Sequence, residues 1–473
     1  MQLSWMRFRL ILLLLLLFLV FHINLAQTIV KTLPGYPGTL PFKLETGYVS
    51  VGESEDVELF YYFIESERDP IRDPLVLWLA GGPGCSAFSA IAYELGPLAF
   101  DVEAFNGSLP SLLLNPYAWT KIANIIFLDS PVGTGFSYAT TLEGYYSSDT
   151  KSAKDTYNFL RKWLLNHPKF TKNRLYIGGD SYGGKIVPII VYEILKGNKA
   201  GLMPQLSVEG YLLGNPGMAI HQNFNWRIPY ANRMALVSDE HFKRAKRSCH
   251  GEYVSPNPNN TRCLFALQPV NECIDNINKA HILEPKCQLE AAKSDGLKRD
   301  FQNFLREGSI GTLHTSYQEI PWCRENNYVP SYVWANDPTV QDALQVRNGT
   351  KEEWRRCNKS LSYDINVASV LHYHQALSRE RYQVLVYSGD HDMIVPYIST
   401  LEWINDLNLT LDEDWRPWTF TGQIAGYTLR YRYKEDQFYL TFATVKGAGH
   451  AAPEYKPKEC LAMIERWFSY YPL

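Results

Sequence analysis

The chain lacks the features that mark nucleic-acid-binding, repeat and membrane-spanning proteins. Its 46 Lys and Arg residues are outnumbered by 49 Asp and Glu residues, so a net charge of −3 offers no basic field for a polyanion. The sequence has no Lys/Arg block, no internal repeat and no long low-complexity tract. No two of its 8 cysteines lie two to four residues apart, which disfavours a zinc site. We therefore expect a globular protein with no nucleic-acid partner, no metal and no cofactor.

The one long hydrophobic run lies at the N-terminus. Arg7 and Arg9 precede an apolar stretch from Leu10 to Phe21. This stretch is short for a bilayer span, which needs about 20 residues, and is typical of a secretory signal peptide. A retained anchor is the alternative. We expect residues 1–26 to be a signal peptide cleaved after Ala26, and no stable membrane span elsewhere.

Sequons and cysteines support export. Five Asn-x-Ser/Thr sequons occur in loop-like sequence, more than chance would give, and their acceptor residues are Asn106, Asn259, Asn348, Asn358 and Asn408. Eight cysteines allow disulfides in an oxidising compartment, although their spacing does not give the pairing. The sequence therefore predicts a glycoprotein of the secretory pathway, extracellular or vacuolar.

Residues 177–186 contain the Gly-x-Ser-x-Gly pattern of a nucleophile elbow, in which a serine occupies a sharp turn between a strand and a helix. Residues 174–177 are short, apolar and β-prone, and residues 185–195 read as a helix. Glycines two residues either side of Ser181 leave room for a strained turn. The pattern alone is common by chance, but in this context it predicts that Ser181 is a nucleophile.

A serine nucleophile needs a base, and an acid that orients the base. In α/β-hydrolases these residues follow the serine in the order acid, then His, each after a strand. A strand at 382–388 leads into Asp390 and Asp392, and a strand at 438–445 leads into His450. The sequence predicts His450 as the base, and the local pattern leaves Asp390 and Asp392 open as the acid.

Strands and helices alternate over residues 43–215, which predicts a mostly parallel sheet with helices on both faces, an α/β fold. The expected strands are 47–51, 59–64, 75–79, 124–128, 175–177 and 208–213, with a helix over 149–166. The alternation breaks over residues 223–358, which hold six of the eight cysteines, and then the core resumes. We expect a core of 27–222 and 359–473, with 223–358 as a disulfide-stapled lid.

Four blocks resemble the signature blocks of the serine carboxypeptidase family. They are residues 78–86 (Trp-Leu-Ala-Gly-Gly-Pro-Gly-Cys-Ser), 179–183, 389–396 and 449–453. They span nearly the whole mature chain in the order typical of the family. The resemblance implies an α/β-hydrolase fold, Asp392 as the acid, and the backbone N–H groups of Gly82 and Tyr182 as the oxyanion hole.

The same resemblance implies a disulfide pairing. The implied pairs are Cys85–Cys357, Cys249–Cys263 and Cys287–Cys323, which leave Cys273 and Cys460 free.

Carboxypeptidases of the family hold a peptide's terminal carboxylate with an Asn directly before the two glycines and with two acids. The resemblance places the acids at Glu94 and Asp180, and the Asn position is Ala80. Gly81, directly after Ala80, is a further expected substrate-binding residue. Alanine offers no donor, so recognition of a terminal carboxylate is weakened by about 1–3 kcal/mol. Neighbouring carboxyls do not both ionise easily, so one keeps a proton at acid pH.

The departure at Ala80 resembles the plant acyltransferase branch of the family, as do residues 31–36, 85–89 and 281–285. Members of this branch use the same triad to move an acyl group from a 1-O-β-glucose ester to an alcohol. The resemblance implies a small-molecule glucose ester and a hydroxyl acceptor as substrates. The alternative is a serine carboxypeptidase that acts on peptide C-termini. A non-catalytic scaffold is disfavoured because all three triad residues are present.

Overall fold

The computed structural model describes residues 27–287, 323–433 and 438–473, so the expected signal peptide lies outside the described residues. The strands of the described residues are β1 (Gln27–Val30), β2 (Leu44–Val51), β3 (Val57–Ile64), β4 (Leu75–Leu79), β5 (Leu98–Phe100), β6 (Leu112–Leu114), β7 (Asn124–Leu128), β8 (Tyr138–Ala139), β9 (Ser147–Ser148), β10 (Leu175–Asp180), β11 (Val208–Gly214), β12 (Tyr363–Asp364), β13 (Gln383–Gly389), β14 (Thr410–Phe420), β15 (Gln423–Tyr433) and β16 (Phe438–Val445).

The described residues also form α-helices, numbered here in chain order. They are α1 (Asp149–Asn166), α2 (Tyr182–Lys199), α3 (Ile220–Asn225), α4 (Arg227–Arg233), α5 (Asp239–Cys249), α6 (Thr261–Ile274), α7 (Val329–Ala335), α8 (Pro338–Ala343), α9 (Leu371–Leu377), α10 (Tyr397–Asn405), α11 (Ala452–Tyr455) and α12 (Pro457–Phe468). Among them, no helix combines the length and apolar character that a bilayer crossing requires.

One large sheet organises the fold, with strands in the order β1-β2-β3-β7-β4-β10-β11-β13-β16-β15-β14. The central strands from β7 to β16 pair in parallel, as predicted, while both margins are antiparallel. At one margin a short turn connects two antiparallel strands. Thr421 and Gly422 join β14 to β15 with φ values of 47° and 75°, the positive values that a two-residue hairpin turn needs.

The two faces of the sheet carry separate hydrophobic cores. In β4, Val76 and Trp78 point to a core shared with α12, whereas Leu75 and Leu77 point to a core shared with α1 and α2. This alternation follows from the two-residue period of a strand. Helices therefore cover both faces, which confirms the α/β fold predicted from the alternation and the α/β-hydrolase architecture that the family resemblance implies.

The described part of residues 223–358 packs in two places. Helices α4 to α6 form a third hydrophobic cluster, in which Ile228 and Val270 lie with Met393 and Ile398 of the core. Trp334 on α7, by contrast, belongs to the same core as Val76. The division into 27–222, 223–358 and 359–473, with the middle part as a lid, stays a prediction.

The disulfides are those that the family resemblance implies. The structure joins Cys85 to Cys357, Cys249 to Cys263 and Cys287 to Cys323, and leaves Cys273 exposed and Cys460 buried as free thiols. Glu325 lies close to Cys287 and Cys323, but their sulfurs are bonded to each other and offer no thiolate to a metal.

Candidate active site

Ser181 stands in a sharp turn between β10 and α2. Its φ of 52° and ψ of −118° lie in a region that non-glycine residues rarely adopt, at a cost of about 1–3 kcal/mol. The flanking glycines make this turn possible. A Cβ at Gly179 would lie 2.8 Å from the Leu79 carbonyl oxygen, and one at Gly183 would lie 2.4 Å from the same atom. The β10–Ser181–α2 segment therefore has the geometry of a nucleophile elbow.

Ser181, His450 and Asp392 form one chain of hydrogen bonds. Oγ of Ser181 lies 2.8 Å from Nε2 of His450, and Nδ1 of the same ring lies 2.8 Å from Oδ2 of Asp392. Asp390, the other acid that the local pattern left open, instead accepts a hydrogen bond from the Gly447 N–H at 2.7 Å. The structure thus brings together the three residues that a serine nucleophile needs, with Asp392 in the place of the acid.

The environment of the triad favours a charged His450. Burial opposes the charged imidazole, but the Asp392 carboxylate and its hydrogen bond raise the pKa of His450 above its ordinary value. Asp392 itself is fully buried, and its Oδ1 accepts hydrogen bonds from the backbone N–H groups of Ile394 and Val395 at 2.7 and 3.2 Å. These donors hold the carboxylate in one orientation toward the ring.

Asn215 is a further partner of the acid that the sequence analysis missed. It directly follows β11 and is fully buried, with a φ of 43°. Its Nδ2 donates to Oδ2 of Asp392 at 2.7 Å. The only local signal is an Asn at the end of a parallel strand next to β13, since the carboxyl ends of such strands meet at one edge of the sheet.

The glycine turn before Cys85 borders the nucleophile. A Cβ at Gly81 would lie 2.6 Å from Cβ of Ser181 and 3.2 Å from the backbone nitrogen of Tyr182, so only glycine fits there. Tyr182 is the first residue of α2, and helices leave such N–H groups without an intrahelical acceptor. Gly82 has a φ of 119°, a value open to glycine. The turn and the start of α2 thus surround the reacting oxygen with backbone, as an oxyanion hole requires.

A second segment, residues 356–358, holds this glycine turn in place. Besides the Cys85–Cys357 disulfide, the Ser86 N–H donates to the Arg356 carbonyl at 2.8 Å, and the Asn358 N–H donates to the Gly84 carbonyl at 2.9 Å. A side chain at Gly84 would meet the Asn358 carbonyl oxygen at 2.6 Å. The position of Gly82 therefore depends on residues 356–358.

Glu94 and Asp180 are buried carboxyls near the nucleophile. Asp180 ends β10 directly before Ser181, and Glu94 ends a short π-helical segment (Ala90–Glu94). Burial raises the pKa of Asp180 to about 6, and burial together with the charge of Asp180 raises the pKa of Glu94 well above its ordinary value. Within the described residues, Oε2 of Glu94 and Oδ1 of Asp180 are buried without a hydrogen-bond partner. Such atoms are suited to a polar group of a ligand.

Ala80 and Gly81, the remaining predicted substrate-binding positions, are buried. Ala80 directly precedes Gly81, and a Cβ at Gly183 would lie 3.0 Å from the Ala80 carbonyl oxygen. Ala80 therefore lies next to the elbow, and its methyl group can neither donate nor accept a hydrogen bond.

A polar cluster that the sequence analysis missed adjoins the carboxyl pair. The Tyr328 hydroxyl donates to Glu454 at 2.9 Å, and Nη1 of Arg324 lies 3.3 Å from the same carboxyl. The Arg356 guanidinium lies 3.7 Å from the centre of the Tyr328 ring, and its charge lowers the pKa values of Glu94 and Asp180 against the effect of burial. No local pattern marked these residues, because segments distant in the chain bring them together.

The segment after α6 lies against both catalytic loops. The Ala280 carbonyl accepts the His450 N–H at 2.8 Å, and the Ile282 N–H donates to the His391 carbonyl at 3.1 Å. Residues 281–285, which the sequence analysis compared with the acyltransferase branch, therefore pack beside the loop that carries Asp392.

The sequon asparagines differ in exposure. The exposed ones are Asn106, Asn259, Asn348 and Asn408. Asn358 is half-buried, and its Nδ2, the atom that a glycan would modify, donates to the Gly133 carbonyl at 3.0 Å. Glycosylation of all five asparagines stays a prediction.

This arrangement can carry out nucleophilic acyl transfer. A strained, half-buried serine lies within hydrogen-bond distance of an oriented imidazole, with backbone donors beside it and buried carboxyls nearby. The same atoms can release the acyl group to water or to an alcohol. The substrate pocket, and not the triad, decides between these outcomes.

The chain is similar to known proteins over nearly its whole length. Residues 34–470 match the sequence profile of a family described as serine carboxypeptidase. Serine carboxypeptidase-like 17 of Arabidopsis thaliana is 46% identical over 459 residues, which cover 97% of this chain and 97% of the relative. Serine carboxypeptidase-like 7 of the same plant is 46% identical over 448 residues, covering 95% and 94%.

A solved structure supports the fold assignment. The prohormone-processing carboxypeptidase Kex1 from Saccharomyces cerevisiae superposes with a TM-score of 0.67, covering 94% of this chain and 95% of that protein at 19% identity. At this identity the likeness concerns the fold.

Proposed function

Because the chain belongs to the serine carboxypeptidase family, we propose that it is an acyltransferase. It moves an acyl group from a 1-O-β-glucose ester to an acceptor hydroxyl through an acyl-enzyme on Ser181. The triad, the backbone donors and the pocket each have a role in this scheme.

In the first step, Oγ of Ser181 attacks the ester carbonyl and gives its proton to Nε2 of His450, while Asp392 holds the ring and stabilises its charge. The N–H groups of Gly82 and Tyr182 bind the oxyanion. His450 then returns the proton to the departing glucose oxygen. In the second step an acceptor hydroxyl gives its proton to His450 and takes the acyl group. As the bond from the acyl carbon to Oγ of Ser181 breaks, His450 passes that proton to Oγ, so that Ser181 is regenerated.

The alanine at position 80 is the observation that supports the choice of substrate class. It lies next to Gly81, and Gly81 packs directly against Ser181 with no space for a side chain. A hydrogen-bond donor at position 80 would therefore lie close to the scissile bond. A methyl group there provides no hydrogen bond to a terminal carboxylate. The protein therefore has a complete acyl-transfer apparatus with a weakened site for a peptide C-terminus.

A carboxypeptidase is the second candidate, and the Glu94 and Asp180 pair favours it. Both carboxyls have raised pKa values, so at acid pH a protonated carboxyl can donate to a peptide carboxylate. A proton donor of this kind also suits the hydroxyl or carboxyl groups of a small acceptor. The pair is thus compatible with both reactions, whereas Ala80 favours one.

Restoring the missing donor tests the proposal. We expect Ala80→Asn to raise hydrolysis of a blocked dipeptide by about 10-fold, the equivalent of one hydrogen bond to a charged group. Ala80→Val, which adds volume without a donor, is the control and gains no peptidase activity. If Ala80→Asn leaves peptide hydrolysis unchanged, position 80 does not determine the substrate class.

We also place the protein in the secretory pathway, either outside the cell or in the vacuole. Three disulfides among the described cysteines support this assignment, because such bonds persist in oxidising compartments. Mass spectrometry of the N-terminal peptide of the protein purified from its own cells tests it, with residue 27 as the expected first residue.

A further inference from the structure

Asp149 is a fully buried carboxylate that the scheme above does not use. Its Oδ1 accepts hydrogen bonds from the hydroxyls of Tyr182 and Tyr363, the latter at 2.8 Å. Its Oδ2 accepts the Val367 N–H at 3.0 Å and lies 3.1 Å from Nζ of Lys185. Each oxygen therefore has two donors, which satisfies a carboxylate without solvent.

The local sequence explains why these groups meet. Tyr182 and Lys185 are three residues apart at the start of α2, so their side chains share one face of the helix. Asp149 is the first residue of α1, where a helix favours a negative charge. Strands β9 and β12 pair Ser147 with Tyr363, which brings this tyrosine beside the start of α1.

Lys185 is as buried as its partner, with 1% of its side chain exposed against 0% for Asp149. Burying either charge alone would cost several kcal/mol, so each requires the other. Burial is the largest cause that raises the pKa values of Tyr182 and Tyr363 far above their ordinary values, and the negative charge of Asp149 raises them further. Both hydroxyls consequently stay protonated and act as donors.

The network ends at the reaction centre. Tyr182 follows Ser181 directly, and its backbone N–H is one of the two proposed oxyanion donors. The segment that supplies Tyr363 and Val367 begins at residues 356–358, which fasten the turn of Gly82. Both proposed donors are thus held by one stretch of chain.

We propose that Asp149, paired with Lys185, is a positioning residue that fixes Tyr182 and thereby one donor of the oxyanion hole. The inference deepens the proposed function and depends on it only for the role of the Tyr182 N–H. It also gives Lys185, at the end of the Ser-Tyr-Gly-Gly-Lys elbow, a physical role. Asp149 and Lys185 act through Tyr182 and do not touch the substrate.

Tyr182→Phe and Tyr363→Phe test the proposal, because each removes one hydroxyl from Asp149 and keeps the ring. Tyr61→Phe is the matched control. The Tyr61 hydroxyl also donates to a buried carboxylate, Glu45, at 2.8 Å. Glu45 binds His167 at the other end of α1, about 27 Å along the helix from Asp149. All three variants lose one buried tyrosine–carboxylate bond.

The readouts are the kcat and KM for a p-nitrophenyl ester, the Ki of an alkyl boronic acid that forms a tetrahedral adduct with Ser181, and the Tm. We expect Tyr182→Phe to lower kcat and weaken boronate binding by the same factor, about 10-fold, with KM unchanged. Tyr363→Phe should give a smaller loss of the same kind, about threefold. Tyr61→Phe should lower the Tm alone.

Equal kcat and Ki values in all three variants and the unmodified protein would overturn the proposal, because the network would then be structural only. Lys185→Met is a harsher variant, because it leaves the buried charge of Asp149 without its partner. If Lys185→Met does not fold, the kcat and Ki values of the two Phe variants still decide the proposal. If the unmodified protein binds the boronate but uses no glucose ester, the proposed substrate class is wrong, and the boronate ratios still decide the role of Asp149.

Discussion

Asn215 donates a hydrogen bond to the same oxygen of Asp392 that faces the imidazole of His450. The Asn215 Nδ2 lies 2.7 Å from Oδ2, and Nδ1 of His450 lies 2.8 Å from it. The carboxylate is fully buried, so this amide replaces solvent as a donor. Asn215 thus helps to set the direction in which the acid faces the base.

We expect Asn215→Ala to lower kcat by about 10- to 100-fold, because a hydrogen bond to a buried charge contributes about 1.5–3 kcal/mol. Stopped-flow measurement of ester turnover tests this expectation. Asn223→Ala is the control, since Asn223 is also buried and bonds Ser399 instead of the triad. An equal loss of kcat in both variants would mean that Asn215 acts only through stability.

The two acids of the loop after β13 should differ strongly. Asp392→Asn should lower kcat by about 10⁴-fold, because the His450 ring then loses the partner that sets its tautomer and stabilises its charge. Asp390→Asn should retain most of the activity, since Asp390 binds the Gly447 N–H and not His450. Kinetics of the two variants on one ester check the assignment, which a reversed order of activities would contradict.

The Cys85–Cys357 disulfide should matter for catalysis as well as for stability. Removing it in a Cys85→Ala/Cys357→Ala double variant frees the turn of Gly82, so we expect kcat to fall by about 10-fold or more. The Cys249→Ala/Cys263→Ala double variant removes a disulfide within the insertion. It should lower the Tm and leave kcat near that of the unmodified protein. Similar kcat values in the two double variants would contradict this role of Cys85.

Stability should depend on pH through the buried carboxyls. The pKa of Asp180 is raised to about 6 and that of Glu94 lies well above its ordinary value, whereas both have pKa values of about 4 in the unfolded chain. The folded state then binds more protons, so the contribution of Asp180 to the free energy of unfolding is complete below about pH 4 and is lost as the pH rises through about 6. The contribution of Glu94 has the same sign and is lost as the pH rises through its own raised pKa.

Urea unfolding between pH 4 and pH 7.5 measures this loss. We expect Glu94→Gln to reduce the decline, because the amide does not ionise. Glu53→Gln is the control, since Glu53 has a 91% exposed side chain. If the free energy of unfolding of the unmodified protein does not change with pH, Glu94 and Asp180 do not have raised pKa values.

The sequence predicted those parts of the fold whose causes are local. Apolar runs such as Leu75–Leu79 and Asn124–Leu128 became strands of the central sheet. The Ser148 hydroxyl caps α1 by accepting the Lys151 N–H, and serine is a residue type that N-cap positions favour. The glycines on either side of Ser181 also predicted the strained turn, because such a turn needs residues without a side chain.

The remaining site residues depend on packing between distant segments. Asn215, Asp149 and Glu454 are ordinary polar residues in their local sequence, and each acquires its partner only when separate loops meet. The choice between Asp390 and Asp392 was likewise open locally, because it depends on which side chain turns toward His450. The antiparallel margins of the sheet were missed because the alternation of strands and helices marks only its centre.

The proposed function is tested most directly by two values of kcat/KM measured on one preparation of the unmodified, glycosylated protein. One is for acyl transfer from a phenolic glucose ester to an alcohol, and the other is for hydrolysis of a blocked dipeptide, each with Ser181→Ala as the blank. The absence of a terminal-carboxylate donor at Ala80 predicts that transfer exceeds hydrolysis by about 10-fold or more. Efficient removal of C-terminal residues, with no turnover of any glucose ester, would contradict the acyltransferase assignment.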